Sequence, residues 1–240
     1  MAAVTIATLI AVMLEVASAK GAALALVLAI DVSASVTADS YLLQHDGIAR
    51  AFASPRLAEA ISAAPGGIEV LVLEWSDPDK IAVTVDWTRV ADTGSADAFA
   101  AAVRATRRSS AGITAIGPAL LAAAASFDRL PEPAGHRMID ISGDGMANFG
   151  LPPAAARDRI VAGGIAINGL AILTEEPWLA DYYRNNVIGG PLAFVVIART
   201  FADFADAMLR KLVQEVAHAS VNGALCAPFR CNKSGSARSR

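Results

Sequence analysis

The feature that most restricts the fold is an uninterrupted apolar run near the start of the chain. Residues 22–31 read AALALVLAID, with no polar side chain before Asp31. A strand that is apolar at every position needs cover on both faces, which is typical of a central strand in a parallel sheet. Shorter strand-like runs alternate with amphipathic segments further along the chain, at 68–75, 80–87, 137–142, 165–173 and 192–198. This alternation predicts one sheet with helices on both faces.

One connection departs from the parallel pattern. The segments 68–75 and 80–87 are separated only by Ser76-Asp77-Pro78-Asp79. A parallel crossover needs a much longer connection, so these two strands must pair antiparallel. The predicted fold is therefore α/β: a doubly wound, mostly parallel six-stranded sheet with one antiparallel edge strand. Helices are predicted at 39–64, 95–108, 115–130, 153–163, 177–186 and 201–218.

Length and composition indicate one domain with a large core. The chain has 240 residues, of which 55% are hydrophobic and 18% charged, and single cores stop growing near about 250 residues. The net charge is −3, and four basic residues stand unopposed in the C-terminal tail, so the body is acidic and poorly suited to nucleic acid. Two cysteines and three scattered histidines exclude a disulfide-rich scaffold and a cysteine or imidazole zinc site. His45, on the first helix, is expected at the surface or at the rim of the core.

The first residues carry a pattern typical of export. Residues 2–14 are apolar or small, and Ala17-Ser18-Ala19 follows as a cleavage signal. The apolar run is short for a membrane span, which needs about 20 residues. We therefore expect a signal peptide over residues 1–19, with a retained membrane anchor as the alternative.

The remaining chain divides into a domain and a tail. We expect an exported domain over residues 20–220, periplasmic or extracellular and with no stable membrane span after cleavage, and a C-terminal tail over residues 221–240. An oxidising compartment would permit a disulfide between Cys226 and Cys231. The alternative is two unpaired thiols.

Polar side chains follow two of the predicted strands at the point where each strand ends. Asp31, Ser33 and Ser35 come after the first strand, and Asp144 follows the fourth. Thr114 lies at the start of the helix that leads into the fourth strand. Open α/β sheets bind ligands beyond the carboxyl ends of their strands, so two carboxylates and three hydroxyls converge there if the first and fourth strands are neighbours. All five are hard oxygen donors, which Mg²⁺, Mn²⁺ and Ca²⁺ prefer.

These residues resemble the metal-ion-dependent adhesion site of the von Willebrand factor type A domain. That family has Asp-x-Ser-x-Ser after its first strand, which Asp31, Ser33 and Ser35 match. It has a Thr before a later helix, which Thr114 matches, and an Asp-Gly pair after the fourth strand, where Asp144 stands. The antiparallel edge strand also agrees with this family.

The resemblance extends over residues 22–218. Five stretches within it are similar to a bacterial exported subfamily of unknown function, domain-of-unknown-function family 1194. They are LEWSD at 73–77, VDWTRV at 85–90, IDISGDGMANFG at 139–150, INGLAIL at 167–173 and YYRNNVIGGP at 182–191.

The resemblance implies both a cofactor and a function. The cofactor is a divalent cation, Mg²⁺ or else Mn²⁺ or Ca²⁺, held by Asp31, Ser33, Ser35, Thr114 and Asp144. In this family an Asp or Glu of a partner protein completes the coordination. The implied protein is an exported, cation-dependent binding module for adhesion or scaffolding, and not an enzyme.

Two other functions stay open. Asp31 closes the first strand as the nucleophile of haloacid dehalogenase-type phosphatases does, but those enzymes need a second Asp two residues later, and this chain has Ser33 there. A cation with a purely structural role is the third hypothesis. Each residue of the site, taken alone, is also an ordinary turn or helix-cap residue. Tyr182 and Tyr183 are either packing residues or part of the rim of the metal site.

Overall fold

The computed structural model describes residues 21–174 and 176–225, with side chains through residue 220. The predicted signal peptide and the two cysteines lie outside the described residues. One sheet has the strand order β3-β2-β1-β4-β5-β6. Its strands are β1 (Leu24–Asp31), β2 (Ile68–Trp75), β3 (Ile81–Val90), β4 (His136–Gly143), β5 (Ala166–Ile172) and β6 (Val195–Ala198).

The pairing of the strands confirms the predicted topology. Strand β3 pairs antiparallel with β2 at one edge of the sheet, and the other neighbours pair parallel. The chain starts in the centre with β1, moves to the β3 edge, returns to β4 beside β1 and continues to β6. The direction of winding therefore reverses between β1 and β4, and in open α/β sheets this reversal marks the ligand-binding crevice.

Helices connect the strands and cover both faces of the sheet. The predicted single helix over 39–64 is wrong, because Pro55 starts a new helix and disfavours helical geometry in the residue before it. Ser54 is accordingly extended, with φ −75° and ψ 129°. Within the described residues, no helix combines the length and the apolar character that crossing a membrane requires. The helices are α1 (Ala38–Phe52), α2 (Pro55–Ala63), α3 (Thr93–Ala105), α4 (Ile116–Ser126), α5 (Pro153–Ala162), α6 (Leu179–Asn186) and α7 (Phe204–Leu225).

The central strand β1 is buried along its whole length. Leu26 and Leu28 face a core cluster shared with α1, α2, α3 and α7. Val27 and Ala29 face a second cluster shared with α4, α5 and α6. Full burial of one such large aliphatic side chain contributes about 2 kcal/mol, so this strand anchors both layers and fixes the position of the loop that follows Asp31.

A buried ion cluster joins the sheet to α7. Lys211 Nζ lies 2.7 Å from Asp140 Oδ2 on β4 and also contacts Glu215, one turn further along α7. Asn168 on β5 donates to Glu215 over 2.8 Å and accepts from the Phe194 N–H over 3.0 Å. One lysine faces two carboxylates, and burial together with the charge of Glu215 raises the pKa of Asp140 despite the lysine.

We expect Lys211→Met to lower the free energy of unfolding by about 3–5 kcal/mol, because it leaves Asp140 and Glu215 buried without a cation. Arg210→Met is the matched control on the same helix, where the arginine is exposed; it should change the free energy by less than about 0.5 kcal/mol. Urea denaturation at pH 8 measures both. Equal stabilities of the two variants would contradict a stabilising role for this cluster.

Candidate metal centre

The adjacency of β1 and β4 brings the two predicted carboxylates to the same edge of the sheet, the one formed by the carboxyl ends of the parallel strands. The strands pair in register from Leu24 opposite His136 to Ile30 opposite Ser142. Asp31 is the last residue of β1, and Asp144 directly follows β4. Both side chains are largely buried, with exposures of 0% and 8%.

Hydrogen bonds link four of the five predicted site residues. The Ser33 N–H donates to Asp31 Oδ1 over 2.7 Å. Ser33 Oγ lies 3.2 Å from Ser35 Oγ, and Ser35 Oγ donates to Asp144 Oδ1 over 2.8 Å. The loop after β1 and the loop after β4 are thus joined through side-chain oxygens.

Thr114 comes to this edge on a third loop, between α3 and α4. The Ala34 N–H donates to Gly112 O over 2.7 Å, which ties this loop to the one after β1. Thr114 and Asn148 form two bonds, from Thr114 N–H to Asn148 Oδ1 (2.9 Å) and from Asn148 N–H to Thr114 O (3.0 Å). Thr114 is 7% exposed. The structure therefore holds its loop against both of the other site loops, and Asn148 is a partner that the sequence patterns did not reveal.

Burial of Asp31 carries an electrostatic cost. Burial raises the pKa of its carboxyl to about 7, although hydrogen bonds from Ser33 oppose the shift. Its Oδ2 atom is buried and has no hydrogen-bond partner, and no Lys or Arg among the described residues forms an ion pair with it. A buried carboxylate oxygen of this kind is costly unless a cation or a donor satisfies it.

Tyr183 lies beside this unsatisfied oxygen. A Cβ on Gly143 would stand 2.7 Å from Tyr183 Oη and 2.8 Å from Asp31 Oδ2, so only glycine leaves room for both groups. Burial raises the pKa of the Tyr183 phenol well above its usual range, and the charges of Asp31 and Asp144 add to the effect. The phenol therefore keeps its proton. Tyr182 accepts from the Ala147 N–H over 3.2 Å and so braces the loop after β4.

Arg108 holds the backbone of the loop after β1. Its Nη2 donates to Val32 O over 2.7 Å and to Ser33 O over 2.8 Å, and its Nε donates to Ser110 O over 2.9 Å. Three bonds to carbonyl oxygens fix the guanidinium plane between the loop of Ser33 and the loop of Thr114. The sequence patterns did not identify this arginine, because no local motif predicts a contact between residues about 75 positions apart.

A second buried carboxylate anchors the same arginine-bearing loop. Glu74, at the end of β2, accepts from Tyr41 Oη over 3.0 Å and from the Ser109 N–H over 2.7 Å, and His45 Nε2 lies 3.0 Å away. Burial acts to raise the pKa of Glu74, but the bonds from His45 and Ser109 outweigh it and hold the pKa below its usual range. His45 is 4% exposed, so of the two expected positions, the surface and the rim of the core, the surface is wrong; this histidine is a buried partner of Glu74.

The donor set fits a hard divalent cation. Among the described residues, no group of three or more His, Cys, Asp and Glu side chains is arranged to hold a metal. A cation at this edge would instead draw on the two carboxylates together with hydroxyl groups, for which Ser33, Ser35 and Thr114 are the candidates. All-oxygen sets of this kind suit Mg²⁺, Mn²⁺ and Ca²⁺, and the orphaned Asp31 oxygen is the atom that such an ion would satisfy.

Solved structures with a similar fold include three proteins of diverse origin. The first is proximal thread matrix protein 1 from the mussel byssus, with a TM-score of 0.63 and 13% identity; the match covers 82% of this chain and 48% of that chain. The second is a von Willebrand factor type A protein from Catenulispora acidiphila, with a TM-score of 0.57 and 21% identity; the match covers 82% of this chain and 42% of that chain. The third is the von Willebrand factor domain of the type V pili tip protein Mfa5 from Porphyromonas gingivalis, with a TM-score of 0.58 and 12% identity; the match covers 83% of this chain and 97% of that chain. Another structure of the mussel protein has a zinc-occupied MIDAS motif, the metal-ion-dependent adhesion site. The chain spans about half the length of the mussel protein. At these identities the similarity establishes the fold.

Sequence comparison gives the family. No curated protein matches the sequence. The model of the family described as "Protein of unknown function (DUF1194)" matches residues 21–220. The chain therefore belongs to the DUF1194 family, and its fold is that of a von Willebrand factor type A domain.

Proposed function

We propose that this chain is an exported, divalent-cation-dependent binding module that captures an acidic residue of a partner protein. The observation that carries the proposal is the chain of short contacts from Asp31 through Ser33 and Ser35 to Asp144, with the Thr114 loop bonded to both sides. No packing reason is evident for oxygen-bearing residues of three loops to come together at one edge. A shared cation supplies such a reason.

The balance of charge at the site favours an external ligand. When bound there, Mg²⁺ or a similar ion supplies a positive centre that attracts a carboxylate. Ser33, Ser35 and Thr114 contribute neutral hydroxyls, so Asp31 and Asp144 are the only full negative charges of the proposed set. A dication surrounded by few carboxylates retains affinity for one more anion, and the side chain of an Asp or Glu on a partner protein supplies it.

Apolar side chains exposed around this edge support a protein partner. Phe149 is 59% exposed and Met146 39%, and both lie in the loop after β4. Ile113, next to Thr114, is 38% exposed, and Trp178, ahead of α6, is 46% exposed. A polar centre among exposed apolar and aromatic side chains has the composition of a protein interface. The pilus and byssus proteins with this fold are consistent with such a role.

The phosphatase alternative has less support. Asp31 is fully buried, whereas a nucleophile must reach its substrate. Ser33 occupies the place of the general acid. A non-enzymatic role is therefore part of the proposal.

Export and the limits of the module are also proposed. We propose that residues 1–19 are a signal peptide, that residues 20–220 form the binding domain, and that residues 221–240, which begin with the last residues of α7, form a tail in which Cys226 and Cys231 can pair. The apolar segment and the Ala-Ser-Ala sequence before Lys20 support this division.

The proposal predicts cation-dependent capture of a partner. Immobilised protein is incubated with an envelope fraction in Mg²⁺ or in EDTA, and bound proteins are crosslinked through carboxylates and identified by mass spectrometry. We expect one partner, bound in Mg²⁺ and released by EDTA, whose crosslinked residue is an Asp or Glu. Its replacement by Asn or Gln should abolish capture.

Matched variants separate the three functional hypotheses. Asp144→Ala should abolish capture, and Asp97→Ala, at an exposed position on α3, should not. Capture that persists in EDTA or in Asp144→Ala contradicts the proposal. Hydrolysis of p-nitrophenyl phosphate that is lost in Asp31→Asn would instead establish the phosphatase. Cation binding without capture of any partner would support the third hypothesis, a cation with a purely structural role.

Arg108 should control the affinity for the cation. Arg108→Met removes three bonds to backbone carbonyls and should weaken Mn²⁺ binding about 10- to 100-fold, the range found when groups that orient metal ligands are removed. Arg107→Met, at the exposed neighbouring position, is the control. Isothermal titration with Mn²⁺ measures both variants, and thermal melting verifies that they are folded. Equal affinities would show that the arginine does not position the site.

Without the cation, Asp31 should destabilise the protein as the pH rises. Its pKa is about 7 in the fold and 3.8 ordinarily, so the folded state holds its proton more tightly, and stability is lost as the pH rises from about 4 to 7. Asp31→Asn should therefore stabilise the metal-free protein at pH 8 by on the order of 2–4 kcal/mol, and by little at pH 4.

Urea titrations in EDTA at the two pH values test this expectation. The free energy of unfolding of Asp31→Asn should still decrease as the pH rises, because the pKa of Asp140 is also raised. In saturating Mg²⁺ at pH 8, the wild-type protein should instead be more stable than Asp31→Asn, since only the wild-type protein gains binding energy from the cation. A variant less stable than the wild type in EDTA at pH 8 would contradict this account of Asp31.

A further inference from the structure

A second concave site lies at the opposite end of the sheet. This cavity has a volume of about 540 Å³ and is formed by the first residues of β4 and β5, the end of α7 and the turn before β6. His136 starts β4 and Gly143 ends it, so the cavity is about 23 Å from the candidate metal centre at 3.3 Å per residue. The volume is within the range of small-molecule sites.

The polar lining of this cavity consists of one arginine and two histidines. His136, Arg137 and His218 line it, and among the described residues no carboxylate side chain does. Arg137 Nη2 donates to Gly163 O over 2.7 Å, which holds the guanidinium at the wall and leaves other N–H donors for a ligand. The His218 ring packs edge-on against Phe194, with centroids 6.0 Å apart.

The remaining lining is apolar and its rim is rigidly shaped. Met138, Val161 and Ile165 form the walls, and Leu192 stands at the opening with 61% exposure. Leu192 adopts φ 59°, a left-handed conformation that is unfavourable for a residue with a Cβ and that tends to persist where the surroundings enforce it. The turn before it is fixed by two bonds between Ile167 and Gly189, of 2.8 and 3.1 Å.

We propose that this cavity binds a small organic anion with an apolar body, such as an arylalkyl or medium-chain carboxylate. The carboxylate pairs with Arg137 and the neighbouring imidazoles, and the apolar body contacts Met138, Val161 and Leu192. The site is independent of the proposed cation-dependent function.

Isothermal titration of the full chain with 4-phenylbutyrate, octanoate and indole-3-acetate tests the proposal. We expect at least one of these carboxylates to bind, and its neutral amide to bind at least 10-fold more weakly. Arg137→Gln should weaken binding of the carboxylate at least 10-fold, while Arg129→Gln, at an arginine that pairs with Asp86 of the edge strand β3 and does not line the cavity, should leave binding unchanged.

Val161→Phe provides a second test that keeps the arginine. It fills the cavity and should abolish binding of carboxylate and amide alike, with thermal melting confirming that each variant folds. Three outcomes overturn the proposal: no binding of any of the three carboxylates, equal binding of acid and amide, or unchanged binding in a folded Arg137→Gln protein.

Discussion

The arrangement of the site depends on the pairing of β1 with β4. Because these strands lie side by side in register, the polypeptide must bring two carboxylates, Asp31 and Asp144, together at one edge of a buried sheet. Like charges in a poorly solvated place repel each other and lose hydration. The surrounding groups accommodate this constraint. Ser35 donates a hydrogen bond to Asp144, Gly143 leaves room for the Asp31 oxygen, and Arg108 holds the loop after β1.

The neighbouring strands β1 and β4 show two ways to accommodate a buried carboxylate. Asp140, inside β4, has Lys211 at 2.7 Å, so its countercharge is part of the chain. Asp31 has no such partner among the described residues, and its Oδ2 is unsatisfied. A fold that supplies a buried lysine for one carboxylate could supply one for the other. Leaving Asp31 without a countercharge costs stability, and a ligand that provides the charge would offset this cost, which is the physical basis of the proposed cation site.

Much of the fold follows from local sequence, and its exceptions have identifiable causes. The apolar run ending at Asp31 and the four-residue connection after Trp75 predicted the central strand and the antiparallel edge, since burial and chain length decide both. The helix over 39–64 was mispredicted because its apolar periodicity continues through Pro55. For the site, the residues beside strand ends could be predicted from the pattern. Arg108, Asn148 and the Glu74–His45 pair could not, because these contacts depend on how separate loops pack together.

The central claim is that one divalent cation binds where the three loops meet. Anomalous diffraction from crystals grown with Mn²⁺ tests it most directly, because the signal locates the ion without reference to any ligand assignment. The account predicts a single strong peak per chain, enclosed by Asp31, Ser33, Ser35, Thr114 and Asp144. A peak elsewhere, or no peak at saturating Mn²⁺ in crystals that keep the Asp31–Ser33–Ser35–Asp144 hydrogen bonds, would contradict it.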